Sequence, residues 1–378
     1  MTHRVAWWRQ PSDRLVSREQ AGFTLVELIV SIGLTALAVG VMFATIGRGQ
    51  SGFRTQLAIG DQQQRLRVAV SMLSGDLLMA GAGPERAGIR GAFARLLPPI
   101  RPARRGLRAA EGDLAFATDR ITIVRGAQSR AQAGLAQDMH SPGDVVRLDA
   151  RGQGCPPVGA CGFQAGMRAA IFDPRVVGAG YDLFTVDRVS RDALGHLPFA
   201  FSRPYGRLMT EVMEIEQRVY YHDARGRRLV RYDGNRSEAV VVDGVVGLAF
   251  DYYVDPRPDG VRAPAPGETS CVYGAGDPPR PRLIDLGGTA LRRLTEAQLT
   301  DGPVCGQAPN RFDGDLLRLR KVRVTIRVQV ADESLRGSDP RDFTDPGASR
   351  QAVHHVPDYT MTFEVAPRNL NVGRRGRP

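Results

Sequence analysis

Lysine is almost absent from this chain of 378 residues. It has 51 basic residues, and Lys321 is the only lysine among them. The formal net charge of +11 therefore reflects a general preference for arginine. The arginines are mostly scattered singly, whereas a nucleic-acid surface requires basic side chains gathered on one face. We do not expect nucleic acid as a partner.

Catalytic motifs are also lacking. The sequence contains no G-x-S-x-G, no phosphate-binding loop, no G-x-G-x-x-G opening a helix and no H-E-x-x-H. The histidines have no ligand spacing that would indicate zinc. The sequence predicts that the protein is not an enzyme and that it holds no cofactor or metal.

Cysteine is scarce, with four residues: Cys155, Cys161, Cys271 and Cys305. An even number beyond an apparent export segment indicates disulfides rather than free thiols. Three pairings are possible, and the sequence does not choose among them. We favour the sequence-local pairing, Cys155 with Cys161 and Cys271 with Cys305.

Charge is missing from residues 23–47, with the single exception of Glu27. This segment has three interpretations. A secretory signal peptide would be cut after Ala36-Leu37-Ala38, but the apolar run continues beyond that point. A simple anchor would span the membrane and leave the arginine-bearing N-terminus in the cytoplasm. Neither interpretation explains Glu27, because inserting its carboxylate into a bilayer costs about 2.5–3.5 kcal/mol of free energy.

The third interpretation comes from the string Gly22-Phe23-Thr24-Leu25-Val26-Glu27, which resembles the prepilin-type motif of type IV pilins and type II secretion pseudopilins. The resemblance implies that a membrane-embedded prepilin peptidase cuts between Gly22 and Phe23 and methylates the new amino group of Phe23. It also implies an assembly role for Glu27. Its carboxylate would pair with the cationic amino terminus of a neighbouring subunit in a filament.

A long helix follows the cleavage motif. No proline occurs between Pro11 and Pro84, and apolar residues continue at helical spacing beyond the membrane segment. We expect one helix over about 24–79, ended by the glycines before Pro84. The domain prediction is a removed leader over 1–22, an N-terminal helix over 23–83 that spans the membrane in 23–47, and a globular head over 84–378.

The head shows the two-residue alternation of half-buried antiparallel strands. It is clearest in residues 243–255, 316–330 and 359–372, and residues 217–234 have the pattern of a hairpin. The predicted fold is α+β and pilin-like, with the long helix packed on an antiparallel sheet. Residues 85–200 match no pattern that indicates a role.

One acidic loop offers oxygen ligands of the kind that calcium prefers, from Asp251, Asp255 and Asp259. The spacing is not that of an EF-hand, and two prolines stiffen the loop. J-type minor pseudopilins, a class that this chain resembles distantly in the order of its features, are associated with calcium. We nevertheless expect a solvated turn here, and Asp313 and Asp315 form a similar, weaker pattern.

The order of these features resembles PilW-like minor pilins and, more distantly, J-type minor pseudopilins. The resemblance implies a structural subunit of a type IV pilus, with a minor pseudopilin of a type II secretion tip as the alternative. A secreted binding protein with a cleaved signal peptide is a more remote possibility. The implied partners are other pilins, the prepilin peptidase and the inner-membrane assembly machinery. The implied location is a single pass through the inner membrane with a periplasmic head, and later the pilus.

Overall fold

The computed structural model describes residues 22–83, 93, 96–129, 131–151, 155, 159–178, 180–257, 261, 263–283, 288–349 and 355–371. Of the predicted leader, residues 1–21 lie outside this part of the chain. Internal contacts define two compact units, residues 1–56 and residues 57–378.

The first element is a single helix, α1, from Leu25 to Leu78. It begins next to Thr24, whose backbone carbonyl accepts a hydrogen bond from Leu28 N at 3.1 Å. The helix ends before Gly81, which has a φ of 73°. A residue with a side chain rarely adopts this backbone angle, and helices commonly end at such a glycine. These bounds agree with the helix expected over about 24–79.

Eighteen strands follow within the described residues: β1 (Ile100–Arg101), β2 (Arg120–Gly126), β3 (Gln132–Gly134), β4 (Val146–Arg147), β5 (Arg168–Phe172), β6 (Val176–Val177), β7 (Tyr181–Val189), β8 (Ala193–Leu197), β9 (Glu211–Asp223), β10 (Arg228–Tyr232), β11 (Glu238–Asp243), β12 (Val245–Val254), β13 (Thr269–Ser270), β14 (Arg292–Arg293), β15 (Val304–Cys305), β16 (Phe312–Asp313), β17 (Leu319–Val328) and β18 (Tyr359–Val365). Short 3-10 turns lie at Ala160–Gly162, Ala297–Leu299, Gly314–Arg318, Glu333–Leu335 and Asn369–Asn371.

Strand β9 organises the larger sheet, which has ten strands among the described residues. Its first residues, from Glu211 onward, pair with β3 and β5. Its later residues pair with β2 and then form a hairpin with β10, in which Asp223 is opposite Arg228. The predicted hairpin is therefore present. Because β9 is 13 residues long, it serves as a common strand for two groups of neighbours.

The second sheet has the strand order β14-β12-β17-β18. In β17, Val322, Val324, Ile326 and Val328 are buried, as the alternation predicts. The prediction was less accurate for β18, where Tyr359 remains 46% exposed. The reason is that, among the described strands, β18 pairs with β17 alone and lies at the edge of the sheet.

The main core lies between α1 and the sheets. The buried stripe of the helix consists of Leu66, Ala69, Leu73 and Leu77, which belong to one cluster with residues of β2, β12 and β17. Polar contacts fix the end of the helix, because Tyr220 in β9 donates to the Asp76 carboxylate at 2.6 Å. The α+β prediction is confirmed: an apolar N-terminal helix precedes a large antiparallel β domain.

The four cysteines form two disulfides, Cys155–Cys161 and Cys271–Cys305, which is the sequence-local pairing. The first adjoins a second apolar cluster, built around Phe184. The second adjoins Gly178, where a Cβ atom would lie 2.5 Å from Cys271 Sγ. Glycine is therefore required at this close approach.

We predict that Leu73→Ala lowers the free energy of unfolding by about 2–5 kcal/mol, because the substitution leaves a cavity in the main core. Leu57→Ala makes the same chemical change on the same helix at a side chain that is 58% exposed. It is the matched control and should change stability by less than about 1 kcal/mol. Denaturant unfolding of the detergent-solubilised protein measures both. Equal losses would mean that the stripe does not support the core.

Candidate processing and assembly site

The N-terminus of α1 is capped by Thr24. The Glu27 backbone N–H donates to Thr24 Oγ1 at 3.3 Å. Thr24-Leu25-Val26-Glu27 is thus a T-x-x-E sequence with threonine at the N-cap and glutamate at the third helical position, which is the pattern of a capping box. A carboxylate there also interacts favourably with the helix dipole. The structure shows the threonine half of this pattern, through the Glu27 backbone N–H; the T-x-x-E spacing was visible in the sequence, but the prediction did not include it.

The residues on either side of the cap are not covered by any part of the chain that the structure describes. Phe23 is 81% exposed and Leu25 is 75% exposed. The segment Leu25–Thr45 has 21 residues and is long and apolar enough to cross a membrane. None of it is buried against the described part of the chain. Its helical rise is about 30 Å, the thickness of the hydrocarbon core. Side chains of this kind need lipid or other proteins around them.

Polar groups within this segment are satisfied by the helix itself. Ser31 Oγ donates to Leu28 O at 2.9 Å, and Thr35 Oγ1 donates to Ser31 O at 2.7 Å. In hydrocarbon each polar group must find such an internal partner. Glu27 is the only charged residue in the segment, so its carboxylate carries the largest desolvation cost there.

Residues 17–43 match the family model of the prokaryotic N-terminal methylation motif. The match contains Gly22, Phe23 and Glu27. The chain matches no curated protein. It matches no solved structure either. The motif supports a type IV pilin-like protein, either a pilin or a pseudopilin, that a prepilin peptidase processes. Together with the apolar helix, it fits membrane anchoring with a periplasmic head.

In the acidic loop considered for calcium, the described aspartates pair with arginines and do not form a group of ligands. The Asp251 carboxylate pairs with Arg293 at 2.9 Å, and the Asp255 carboxylate pairs with Arg257 at 2.6 Å. Asp259 lies outside the described residues. Both described carboxylates thus have a guanidinium partner.

The structure brings together a different acidic group. Asp301, Asp313 and Asp315 each have a carboxylate oxygen within 4.8 Å of the others. Asp313 caps the turn Gly314–Arg318 by accepting from Asp315 N at 2.8 Å. Asp315 is almost fully buried and accepts from Arg318 Nη1 at 3.1 Å. Sequence reasoning noted Asp313 and Asp315 but missed Asp301, which reaches the group only through the fold.

Burial changes the acidity of this group. Removal from water raises the pKa of Asp315 to about 7, the Arg318 charge opposes the rise, and the Asp313 charge adds to it. Burial also raises the pKa of Asp313. In the folded chain Asp315 therefore holds a proton at a pH where the unfolded chain, with an ordinary value of 3.8, has lost it.

A raised carboxyl pKa predicts that stability decreases as pH rises. The contribution of Asp315 should be fully present below its unfolded pKa and should be lost as pH rises through about 7. Between about pH 5 and pH 8, the wild-type protein should lose about 2–3 kcal/mol relative to Asp315→Asn, which cannot titrate. Urea unfolding across this range measures the difference.

Asp301→Asn is the control, because Asp301 is the exposed member of the group. Its stability should follow the pH dependence of the wild-type protein closely. A difference between wild type and Asp315→Asn that stays constant with pH would contradict the raised pKa.

Proposed function

We propose that this protein is a minor pilin, a structural and non-catalytic subunit that joins or initiates a type IV pilus-like filament. The observation that carries the proposal is the methylation motif directly before an uncovered apolar helix. A membrane can surround this helix before assembly, and the helices of neighbouring subunits can surround it afterwards. Its partners are the prepilin peptidase, other pilins and the inner-membrane assembly machinery.

Glu27 couples the two environments of the helix. Cleavage after Gly22 creates a cationic amino group on Phe23, one residue before the cap. Within one subunit, Glu27 lies in the first helical turn. In a filament, its carboxylate pairs with the amino terminus of an adjacent subunit and no longer faces lipid alone. The gain in free energy on pairing selects the register of assembly.

The methylation motif supports a minor pseudopilin at the tip of a type II secretion system equally well, because pilins and pseudopilins share this motif. Deleting the gene separates the two classes. Loss of surface pili with normal protein secretion indicates a pilin, and the reverse result indicates a pseudopilin.

Processing can be tested by intact-mass analysis and N-terminal sequencing of the membrane-extracted protein. We expect the mature chain to begin with N-methyl-Phe23. Gly22→Val should leave the leader attached, because a bulky side chain then occupies the cleavage position. A chain that begins after Ala38 would replace this proposal with a signal-peptide mechanism, and an uncut chain in cells with active prepilin peptidase would contradict processing.

The assembly role of Glu27 can be separated from its capping role. Glu27→Gln removes the charge but keeps a side chain that suits a capping box. Thr24→Ala removes the cap, at a cost of about 1 kcal/mol, and keeps the charge. We expect both variants to be cleaved, Glu27→Gln to be nearly absent from sheared filaments, and Thr24→Ala to be incorporated. Equal incorporation of both would show that charge pairing is not needed.

A further inference from the structure

A cavity of about 140 Å³ lies in the β-rich part of the chain, between β2, β5, β7, β9 and the loop after β1. Three arginines line it: Arg101, Arg105 and Arg168. It reaches the surface beside Leu107, which is 51% exposed. An apolar cavity of this size accommodates a molecule of about six non-hydrogen atoms. The cavity is thus large enough for a small ligand and open enough to admit one.

The acidic residues at this cavity are already paired. The Asp113 carboxylate accepts from Arg105 Nη2 at 3.1 Å. The Glu111 carboxylate accepts from Arg120, which lies outside the lining, and from Arg104 N. Asp182, which is buried and directly follows Tyr181, is also paired: its carboxylate accepts hydrogen bonds from Ser202, Tyr205 and Asn310. Among the described residues, the other two lining arginines therefore have no carboxylate partner.

Arg101 is 5% exposed. Its guanidinium donates to the Tyr181 hydroxyl and stacks 5.5 Å from the Phe312 ring centroid. Both partners are neutral. A buried guanidinium that has only neutral partners keeps a large part of its desolvation cost, because an opposite charge is the main compensation.

Arg168 is half-buried, and its hydrogen-bond partners are neutral as well. Its Nη1 donates to Thr185 Oγ1 at 3.0 Å, and its Nη2 donates to Gln217 Oε1 at 3.3 Å. Its Nε is shut off from solvent and has no hydrogen-bond partner among the residues that the structure describes. A guanidinium remains protonated at every physiological pH. The orphaned N–H therefore belongs to a fixed positive charge on the wall of a cavity.

The electrostatics of the lining agree with this geometry. Burial lowers the pKa of Arg168. Burial also lowers the pKa of Arg105, and the positive charge of Arg101 lowers it further. Arg101 and Arg105 thus repel each other, whereas Arg168 is opposed by desolvation and partly stabilised by the negative charge of Asp233. A negative charge in the cavity would relieve both the repulsion and the desolvation cost.

We propose that this cavity binds a small oxyanion, a phosphate or short carboxylate of up to two negative charges, between Arg101 and Arg168. A planar guanidinium group can donate two parallel hydrogen bonds to two oxygens of a phosphate or of a carboxylate. Two arginines without carboxylate partners can balance up to two negative charges on the ligand. The size of the cavity limits the ligand to a few non-hydrogen atoms. Leu183 and Val124 on the wall leave room for a short apolar body.

The proposal is independent of filament assembly and can be tested on the full-length protein in detergent. Inorganic phosphate and succinate are titrated at constant ionic strength, with sodium chloride as the balancing salt. Melting temperature and calorimetry are the measurements. We expect a saturable rise in melting temperature, because a ligand that binds only the folded state stabilises it by mass action. Tighter phosphate binding would assign a phosphoryl ligand, and tighter succinate binding would assign a carboxylate.

Arg168→Gln removes the charge and should weaken anion binding by about tenfold or more. It should also raise the melting temperature in anion-free buffer, because an uncompensated charge is gone. A merely structural Arg168 predicts the opposite change in melting temperature. Arg147→Gln, at an exposed arginine of β4 paired with Asp192, is the control and should bind anions normally.

Gln217→Glu provides a second test that does not depend on Arg168→Gln folding. It places a carboxylate where Gln217 already accepts from Arg168, so it should mimic the ligand and abolish anion binding. Absence of saturable binding of either anion to the wild-type protein would overturn the proposal. So would equal binding by wild type and Gln217→Glu.

Discussion

Burial of one stripe of α1 is the constraint on which the β-rich part of the chain depends. Leu66, Leu73 and Leu77 contribute to the same core as the inner faces of both sheets. The end of the helix is also tied to β2, because Gly81 N donates to Val124 O at 3.0 Å and Gly126 N donates to Ala82 O at 2.6 Å. The helix and the strands therefore stabilise one another. Neither could bury its apolar face alone.

Before Thr45, the apolar side chains of the same helix are exposed instead of buried. There the apolar side chains are uncovered, and the motif at Gly22 and Phe23 precedes them. Glu27 is the one charged residue of this segment, so its carboxylate is the group that costs most to remove from water. Its backbone N–H donates to Thr24 Oγ1, which caps the first turn of the helix.

Buried charge is treated in two ways within the β-rich part. Arg318 has the Asp315 carboxylate beside it, in an acidic group whose pKa values burial raises. Arg101 and Arg168 have hydroxyl, amide and aromatic partners instead. In the first arrangement a carboxyl group lies next to the guanidinium and accepts a hydrogen bond from it. The second leaves positive charge on the wall of a cavity, without a carboxylate beside it among the described residues.

The sequence by itself determined the methylation motif, the extent of α1 and three of the four strands of the second sheet, because these depend on neighbouring residues and on periods of 3.6 and 2. Only the tertiary structure decided which strands share β9, why β18 is half-exposed, and which charges meet. Asp301 joins Asp313, and Arg101 faces the same cavity as Arg168, across separations of 12 and 67 residues along the chain. No local period encodes such contacts. They arise from strand order and loop closure, which the whole core fixes together.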